Sequence, residues 1–528
     1  MKNKLFALAI ILPSLAFTSG CSGASKKEED PGYTKDTYQF KTLYKESTYR
    51  KLNIYNTEKP KENGYTTFRI DKDIGSNAFL KIDLETDVNL VGYIYYHNVD
   101  NPLQTNKEKF FVEASQTTYQ TFLDSFRLGA FAKYNKILDK ITLQSVDSTK
   151  EGTIKVKEIG ISNRTYDPWK MLYISDDTSE LGLSLSFGGA IQSYKRKDAD
   201  VVEYITDDGF VKIDRDIDVD QVTVISEDVN FINVYDLGRE VQLSYYWCVD
   251  ETNGYYPTSD KKYPGVLRYN PIQCGSAGDI YPQIIDYQYS KDCLYIKAYG
   301  QDWFLENSID PTYYEVTYTM RGNGLVVCDT KTTNFGQFTG LQDIPANGQE
   351  APAFYVDQPL NYFYCETTDG IIFDENVSKD MTNTARTSLK ENPSGDYYWY
   401  LNKKKVTNHW AAWVNENMFG IGLYNPMAEN FDGCRYTHTT LYNDTNGQNN
   451  SVKASMYDEL SSPHGYNPSC YVSNANYIGA TLIAAPQDFI PLYMSYAIFA
   501  GDVEEMGEVF GALEETQELY HEQTWPNK

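Results

Sequence analysis

Apolar and polar residues alternate along much of this chain with a period of two. Leu80, Ile82 and Leu84 alternate with Lys81, Asp83 and Glu85, and Val91-Gly-Tyr93-Ile-Tyr95-Tyr96 carries the pattern on. Phe110-Phe111-Val112, Ile141-Thr-Leu143 and Ile154-Lys-Val156 are further short runs of the same kind. This is the signature of strands with one face covered and one face wet. With no helical period between them, these strands predict an antiparallel sandwich over residues 33–167. Asp167-Pro168 marks its exit, because proline pushes the residue before it out of helical backbone.

The remainder, residues 168–528, keeps the strand pattern with longer loops. Leu181, Leu183, Leu185 and Phe187 predict a strand ending at Gly188-Gly189. Ile213, Ile217 and Val219 alternate with Asp214, Asp216, Asp218 and Asp220. Four carboxylates on one strand face need water, lysine partners or a calcium ion. The glycine of an EF-hand loop is missing, so a solvated face is expected. From Ile490 to Phe499 an apolar strand runs into Gly501-Asp502. Asp502 can cap a helix with Glu505 three residues on, and Val503, Met506, Val509, Phe510 and Leu513 fall on one face of it. About 360 residues of this kind exceed one ordinary sandwich. The expected class is all-β: an N-terminal β-sandwich, then a large antiparallel β-sandwich domain with one C-terminal helix.

The chain begins differently. Lys2 and Lys4 precede an apolar run from Leu5 to Phe17, too short to span a bilayer comfortably. Thr18-Ser19-Gly20-Cys21 follows and resembles the bacterial lipobox, with Thr18 where that pattern usually has leucine. The resemblance implies a signal peptide over 1–20, lipid on Cys21, a polar tether over 21–32, and an extracytoplasmic protein held to the bacterial membrane or cell surface by lipid alone. An ordinary secretory signal cut nearby is the other reading. The formal charge of −26 becomes −28 once Lys2 and Lys4 are removed. Such a surface repels nucleic acid and strongly anionic polymers unless a local basic patch or a cation intervenes. Apart from Cys21, the seven cysteines all lie after residue 240 and none forms a CxxC pair, so no metal site has spacing support.

Candidate chemistry gathers in three places. The first is 236–275, where Glu240, Gln242 and Ser244 share one strand face. Trp247 and Tyr269 lie beyond it among several other tyrosines, followed by Asn270 and Gln273. Hydrogen-bonding groups beside flat rings suit a sugar, which has hydroxyls round its rim and apolar C–H faces. With 46 tyrosines in the chain, a strand edge with a self-packed tyrosine loop is the bland alternative. The second is Gln349-Glu350 with Tyr355, and the third is His409-Trp410 through Glu416 to Pro426. Together these segments resemble the galactose-mutarotase-like supersandwich of many carbohydrate-active proteins. The first region resembles the jelly-roll modules that bind carbohydrate or accompany such enzymes.

Hydrolysis of a glycosidic bond needs two carboxyl groups flanking it, and Glu240, Glu350 and Glu416 each sit among rings that can raise a carboxyl pKa. Arg239, Gln242, Trp247, Tyr269, Asn270, Gln273, Tyr355, His409 and Trp410 are the candidates for holding substrate. Arg239 could instead pair with Asp236, and His409 could be a packed, hydrogen-bonded histidine. There is no GxSxG and no glycine-rich phosphate loop. The expectation is a surface lipoprotein that hydrolyses a neutral poly- or oligosaccharide, with no resident cofactor and no nucleic-acid partner. A non-catalytic glycan-binding protein is the alternative, and a polysaccharide lyase is less favoured.

Overall fold

The computed structural model describes residues 39–52, 65–125, 134–146, 151–167, 171–197, 201–207, 211–233, 241–244, 271–274, 281–302, 309–334, 349–356, 360–374, 397–402, 406–437, 474–482 and 492–519, apart from 77, 163, 165, 166 and 429. The fold is all-β. Among the described residues there are thirty strands, antiparallel throughout, and one α-helix near the C-terminus, Val503–Thr516. None of the described helices is long and apolar enough to cross a membrane.

The first nine strands, between Phe40 and Ser162, make two sheets face to face. In one, Phe40–Lys45, Gly152–Ser162, Phe79–Thr86 and Thr118–Phe122 lie in that order, with Arg50–Leu52 also paired to Gly152–Ser162. In the other the order is Thr66–Gly75, Lys136–Ser145, Leu90–Asn98, Asn101–Val112. The alternation seen in the sequence sets what each strand turns inward. Leu80, Ile82 and Leu84 meet Ile94, Tyr96, Ile141 and Leu143 in one buried cluster. Removing each such side chain from water contributes about 1.5–3 kcal/mol, which is what holds two otherwise open sheets together.

Fifteen strands form one long antiparallel sheet. Its middle runs Trp410–Val414, Phe419–Tyr424, Leu492–Asp502, Val326–Asn334, Ile309–Met320, Cys293–Asp302. It continues through Val241–Ser244, Gln349–Val356 and Asn474–Leu482. The sheet curls on itself. Asn425, just past one half, donates its side-chain amide to the carbonyl of Ala351 in the other at 2.9 Å. Strand parity separates two faces. Ile296, Val316, Met494, Ile498, Ile421 and Trp413 point into the curl. There they meet Leu181, Leu183 and Ile191 of a small sheet formed by Met171–Ser175, Ser179–Ser184 and Ala190–Arg196. On the opposite face, Tyr299 and Tyr313 enter the core of the first sandwich, while Val327, Ala497 and Phe499 pack beneath the C-terminal helix. The great sheet is therefore buried on both sides over much of its width.

Two expectations need correction. The strand ending at the paired glycines stops at Ser184, and residues 185–189 form a turn. Gly188 and Gly189 both have positive φ, and a Cβ on Gly188 would lie 2.5 Å from the Gln273 carbonyl oxygen, so no strand can continue through them. The acidic run is likewise not one strand face. The strand ends at Arg215, Asp216 takes a left-handed backbone, and Asp218 caps a single 3-10 turn, Val219–Gln221.

Asp176 ties the small sheet to the great one. Its carboxylate accepts the N–H groups of Thr178 (2.8 Å), Ser179 (2.7 Å) and, from a distant turn, Gly324 (2.9 Å). Burial pushes the carboxyl up, but these N–H groups and the Thr178 hydroxyl outweigh it and hold the pKa below the usual value. A lowered folded pKa stabilises the protein above the ordinary carboxylate pKa, and that contribution disappears as pH falls through the lowered value. Asp176→Asn should therefore cost about 1 kcal/mol at neutral pH, and the difference from wild type should close as denaturation is repeated at increasingly acid pH.

Candidate functional site

Of the three carboxylates expected to do chemistry, Glu240 lies outside the described residues. Glu350 sits on the Gln349–Val356 strand in register with Ser244, beside the Ala353–Gln242 pair. The segment around 242 and the segment around 350 are thus brought together as neighbouring strands. Gln242 is 1% exposed, and its side-chain oxygen has no hydrogen-bond donor among the described residues. Glu416 goes elsewhere. It is exposed in the turn between Trp410–Val414 and Phe419–Tyr424, paired with Lys212 at 2.5 Å. That turn is a clamp: Asn415 donates to the Ile213 carbonyl at 2.8 Å, and Asn417 donates to Asp214. Glu416 is thus committed to a surface ion pair.

Arg239, Trp247, Tyr269, Asn270 and the lipidation candidate Cys21 lie outside the described residues. Gln273 points into the curl, donating to the Gly188 carbonyl at 2.9 Å and to the Tyr318 hydroxyl at 3.3 Å. Tyr355 is buried. Trp410 is 3% exposed, stacked on Tyr364 with centroids 5.3 Å apart and packed against Phe510 of the helix at 5.6 Å. A ring covered on both sides offers no platform to a sugar, so the expectation that Trp410 holds substrate gives way to a packing role. The reason is the sheet's second covered face, which the alternation of residues could not reveal.

His409 is the predicted residue with the most chemistry round it. Its Nδ1 lies 3.1 and 3.0 Å from the two carboxylate oxygens of Glu514, on the helix. The Tyr424 hydroxyl donates to Glu514 Oε2 at 2.7 Å. Asn408 donates to Glu366 at 2.5 Å, and the Tyr364 hydroxyl donates to the same residue at 3.1 Å. A carboxylate on Nδ1 fixes the orientation of the ring. The arrangement also pins the last turns of the helix to the sheet. Cys328 and Cys365 are buried thiols; burial pushes Cys365 up to about 12, which leaves it inert.

A second surface was not anticipated. On the sandwich sheet, Tyr93 and Tyr95 face away from the core that Ile94 and Tyr96 enter. Tyr93 is opposite Lys109 on one side and Thr142 on the other; Tyr95 is opposite Lys107 and Lys140. Tyr65 meets Tyr93 edge-on at 5.5 Å, and Tyr93 and Tyr95 are 6.3 Å apart. The Lys107 ammonium lies 3.8 Å from the Tyr93 centroid, and that of Lys140 lies 4.4 Å from the Tyr95 centroid. The rings are partly exposed. His97, further along, has Nδ1 2.8 Å from Asp139. The signal was present in the sequence: Tyr93, Tyr95 and His97 alternate outward on one arm of a hairpin whose other arm carries Lys107 and Lys109.

No protein-family model and no characterised protein matches this chain. Among the described residues, no three His, Cys, Asp or Glu side chains are grouped as the ligands of a metal would be.

Proposed function

We propose that this is an exported, lipid-anchored protein that binds carbohydrate through the outer face of its N-terminal sandwich. The observation that carries the reading is the row of partly exposed rings, Tyr65, Tyr93 and Tyr95, on a sheet face where cationic donors stand between them. A sugar presents C–H faces and hydroxyls together, and this surface offers apolar ring area and N–H donors side by side. The lipobox-like Thr18-Ser19-Gly20-Cys21 supports the anchoring.

Hydrolysis is the second reading. It is favoured by the strand register that puts Glu350 opposite Ser244, next to the buried Gln242. Binding stands ahead of it because Glu416 is committed to Lys212 and Trp410 to the helix.

The test is to incubate the mature chain with a panel of neutral and acidic glycans, scoring binding and product release separately. Tyr93→Ala with Tyr95→Ala should weaken glycan binding by about tenfold or more, at roughly 0.5–1.5 kcal/mol per ring, with the fold kept because both rings face outward. Undiminished affinity without the rings removes the reading. Release of product by the wild-type chain transfers it to hydrolysis, with Glu350 the first residue to substitute.

A further inference from the structure

The two central rows of the tyrosine face have an unusual charge. One row, across the four strands, is Thr67, Thr142, Tyr93, Lys109; the next is Arg69, Lys140, Tyr95, Lys107. They hold four cations and no acidic residue, in a chain whose formal charge is −26. The row beyond, with Asp73, Ile137 and His97, returns to mixed character, and Asp139, at the register shift next to Lys140, is taken up by His97 Nδ1 at 2.8 Å.

We infer that this face binds an acidic polysaccharide, one bearing uronate or sulfate groups; the inference rests on the carbohydrate-binding reading above and names its ligand class. Three features carry it. The rings act as pedestals. Lys107 is held over Tyr93 and also within 5.6 Å of the Tyr95 centroid, and Lys140 over Tyr95 from the neighbouring strand. Ammonium groups held on ring faces lose less freedom when a ligand anion arrives than lysines waving in solvent. The strands set the four cations across roughly 14 Å, three inter-strand steps of about 4.8 Å, which suits a polymer with recurring charges better than a single small anion. The rest of the protein then selects the polymer. Duplex nucleic acid carries a charge about every 1.7 Å along a stiff rod, and the chain's net formal charge of −26 opposes its approach. A polysaccharide with at most a charge or two per sugar places its anions on the patch and its hydroxyls elsewhere. This revises the expectation of a neutral saccharide, since the local basic patch that would overturn it is present.

The full mature chain should be titrated with polygalacturonate and a sulfated galactan. A neutral xylan, a 20-base-pair duplex and vesicles containing phosphatidylserine serve as comparators. Acidic glycans should bind most tightly, and their binding should weaken steeply with added salt. Lys107→Gln and Lys140→Gln should each reduce polygalacturonate affinity by about tenfold, the scale of one hydrogen bond to a charged group, while leaving the melting temperature near wild type. Neutral xylan bound as well as the acidic polymers, with the lysine variants unchanged, overturns the inference and leaves the carbohydrate-binding reading standing. Acidic-glycan binding indifferent to both the lysine and the tyrosine variants places the ligand on another face and also overturns it. Tighter binding of the duplex or the vesicles, lost in the same lysine variants, gives the patch to that other partner. Failure of every glycan to bind removes the parent reading and the inference together.

Discussion

Glu108→Ala should lower the stability of this protein by about 3–5 kcal/mol, measured by denaturant unfolding at neutral pH, because it strips the partner from several buried polar groups at once. Glu108 is 1% exposed. Its Oε1 accepts the Tyr96 hydroxyl and the Asp124 N–H, each at 2.7 Å, and its Oε2 accepts the Gln283 amide at 2.8 Å. Tyr96 and Asp124 belong to the sandwich; Gln283 leads into the Ile284–Tyr289 strand of the great sheet. One carboxylate therefore joins the two bodies. Around it, the Tyr96 hydroxyl also contacts Asp124, whose Oδ2 lies 3.7 Å from the buried Lys136 ammonium. Burial, then the two carboxylates, keeps the Tyr96 hydroxyl far from ionising, so it stays a donor. Glu108→Gln keeps the length and one acceptor, and should recover more than half of the loss. The alanine variant should also broaden the transition as the sandwich begins to unfold ahead of the sheet. A loss under 1 kcal/mol, with one sharp transition, would show that the joint is held by its apolar contacts alone. Those contacts are substantial: Tyr299 and Tyr313 sit in the sandwich core, and the Tyr299 hydroxyl accepts the Phe111 N–H at 2.7 Å.

How much of this was legible depends on which interaction sets each element. Local rules were readable. Asp502 caps the helix as expected, with its carboxylate on the Glu505 N–H at 2.8 Å and the Glu505 side chain on the Asp502 N–H at 3.0 Å. The strand holding Leu80, Ile82 and Leu84 follows its alternation. Alternation failed at Asp216 because a one-residue turn to left-handed backbone leaves the pattern of apolar and acidic residues intact while ending the strand. It failed at Trp410 for a different reason. Period two tells which residues share a face but not whether that face meets water, and in a curled sheet with a helix outside, both faces are covered. Tyr93 and Tyr95 alternate along one strand, but their partners Lys107 and Lys140 come from two other strands. The hairpin could have supplied the first; only the sheet order supplies the second. Glu514, which holds His409, and Glu366, which holds Asn408, were missed because they come from two elements about 150 residues apart along the chain.

Trp410→Ala should cost about 3–5 kcal/mol and loosen the C-terminal helix, while leaving glycan binding by the sandwich face unchanged. The helix is docked by few residues, and Trp410 is central to them. Phe510 reaches down between Trp410 at 5.6 Å and Tyr424 at 5.7 Å, over Gly422, where a Cβ would lie 2.8 Å from the Phe510 ring. The close approach is possible only because position 422 has no side chain. Removing the indole leaves a void that Tyr364, stacked on its other face, cannot fill without leaving its own strand position. The polar contacts of Glu514 with His409 and Tyr424 are partly exposed and contribute less, since solvent screens them. Hydrogen exchange should thus rise first over Val503–Thr516 and the adjacent Trp410–Val414 strand, with the sandwich amides unmoved. Trp410→Phe, which keeps a ring against Phe510, should restore most of the protection. A Trp410→Ala protein that keeps its helix but loses glycan affinity would return the indole to the binding surface and count against the covered position described here. The same pair of measurements separates two uses of aromatic residues in one chain: rings that hold an element in place, lost with stability, and rings that face outward, lost with affinity alone.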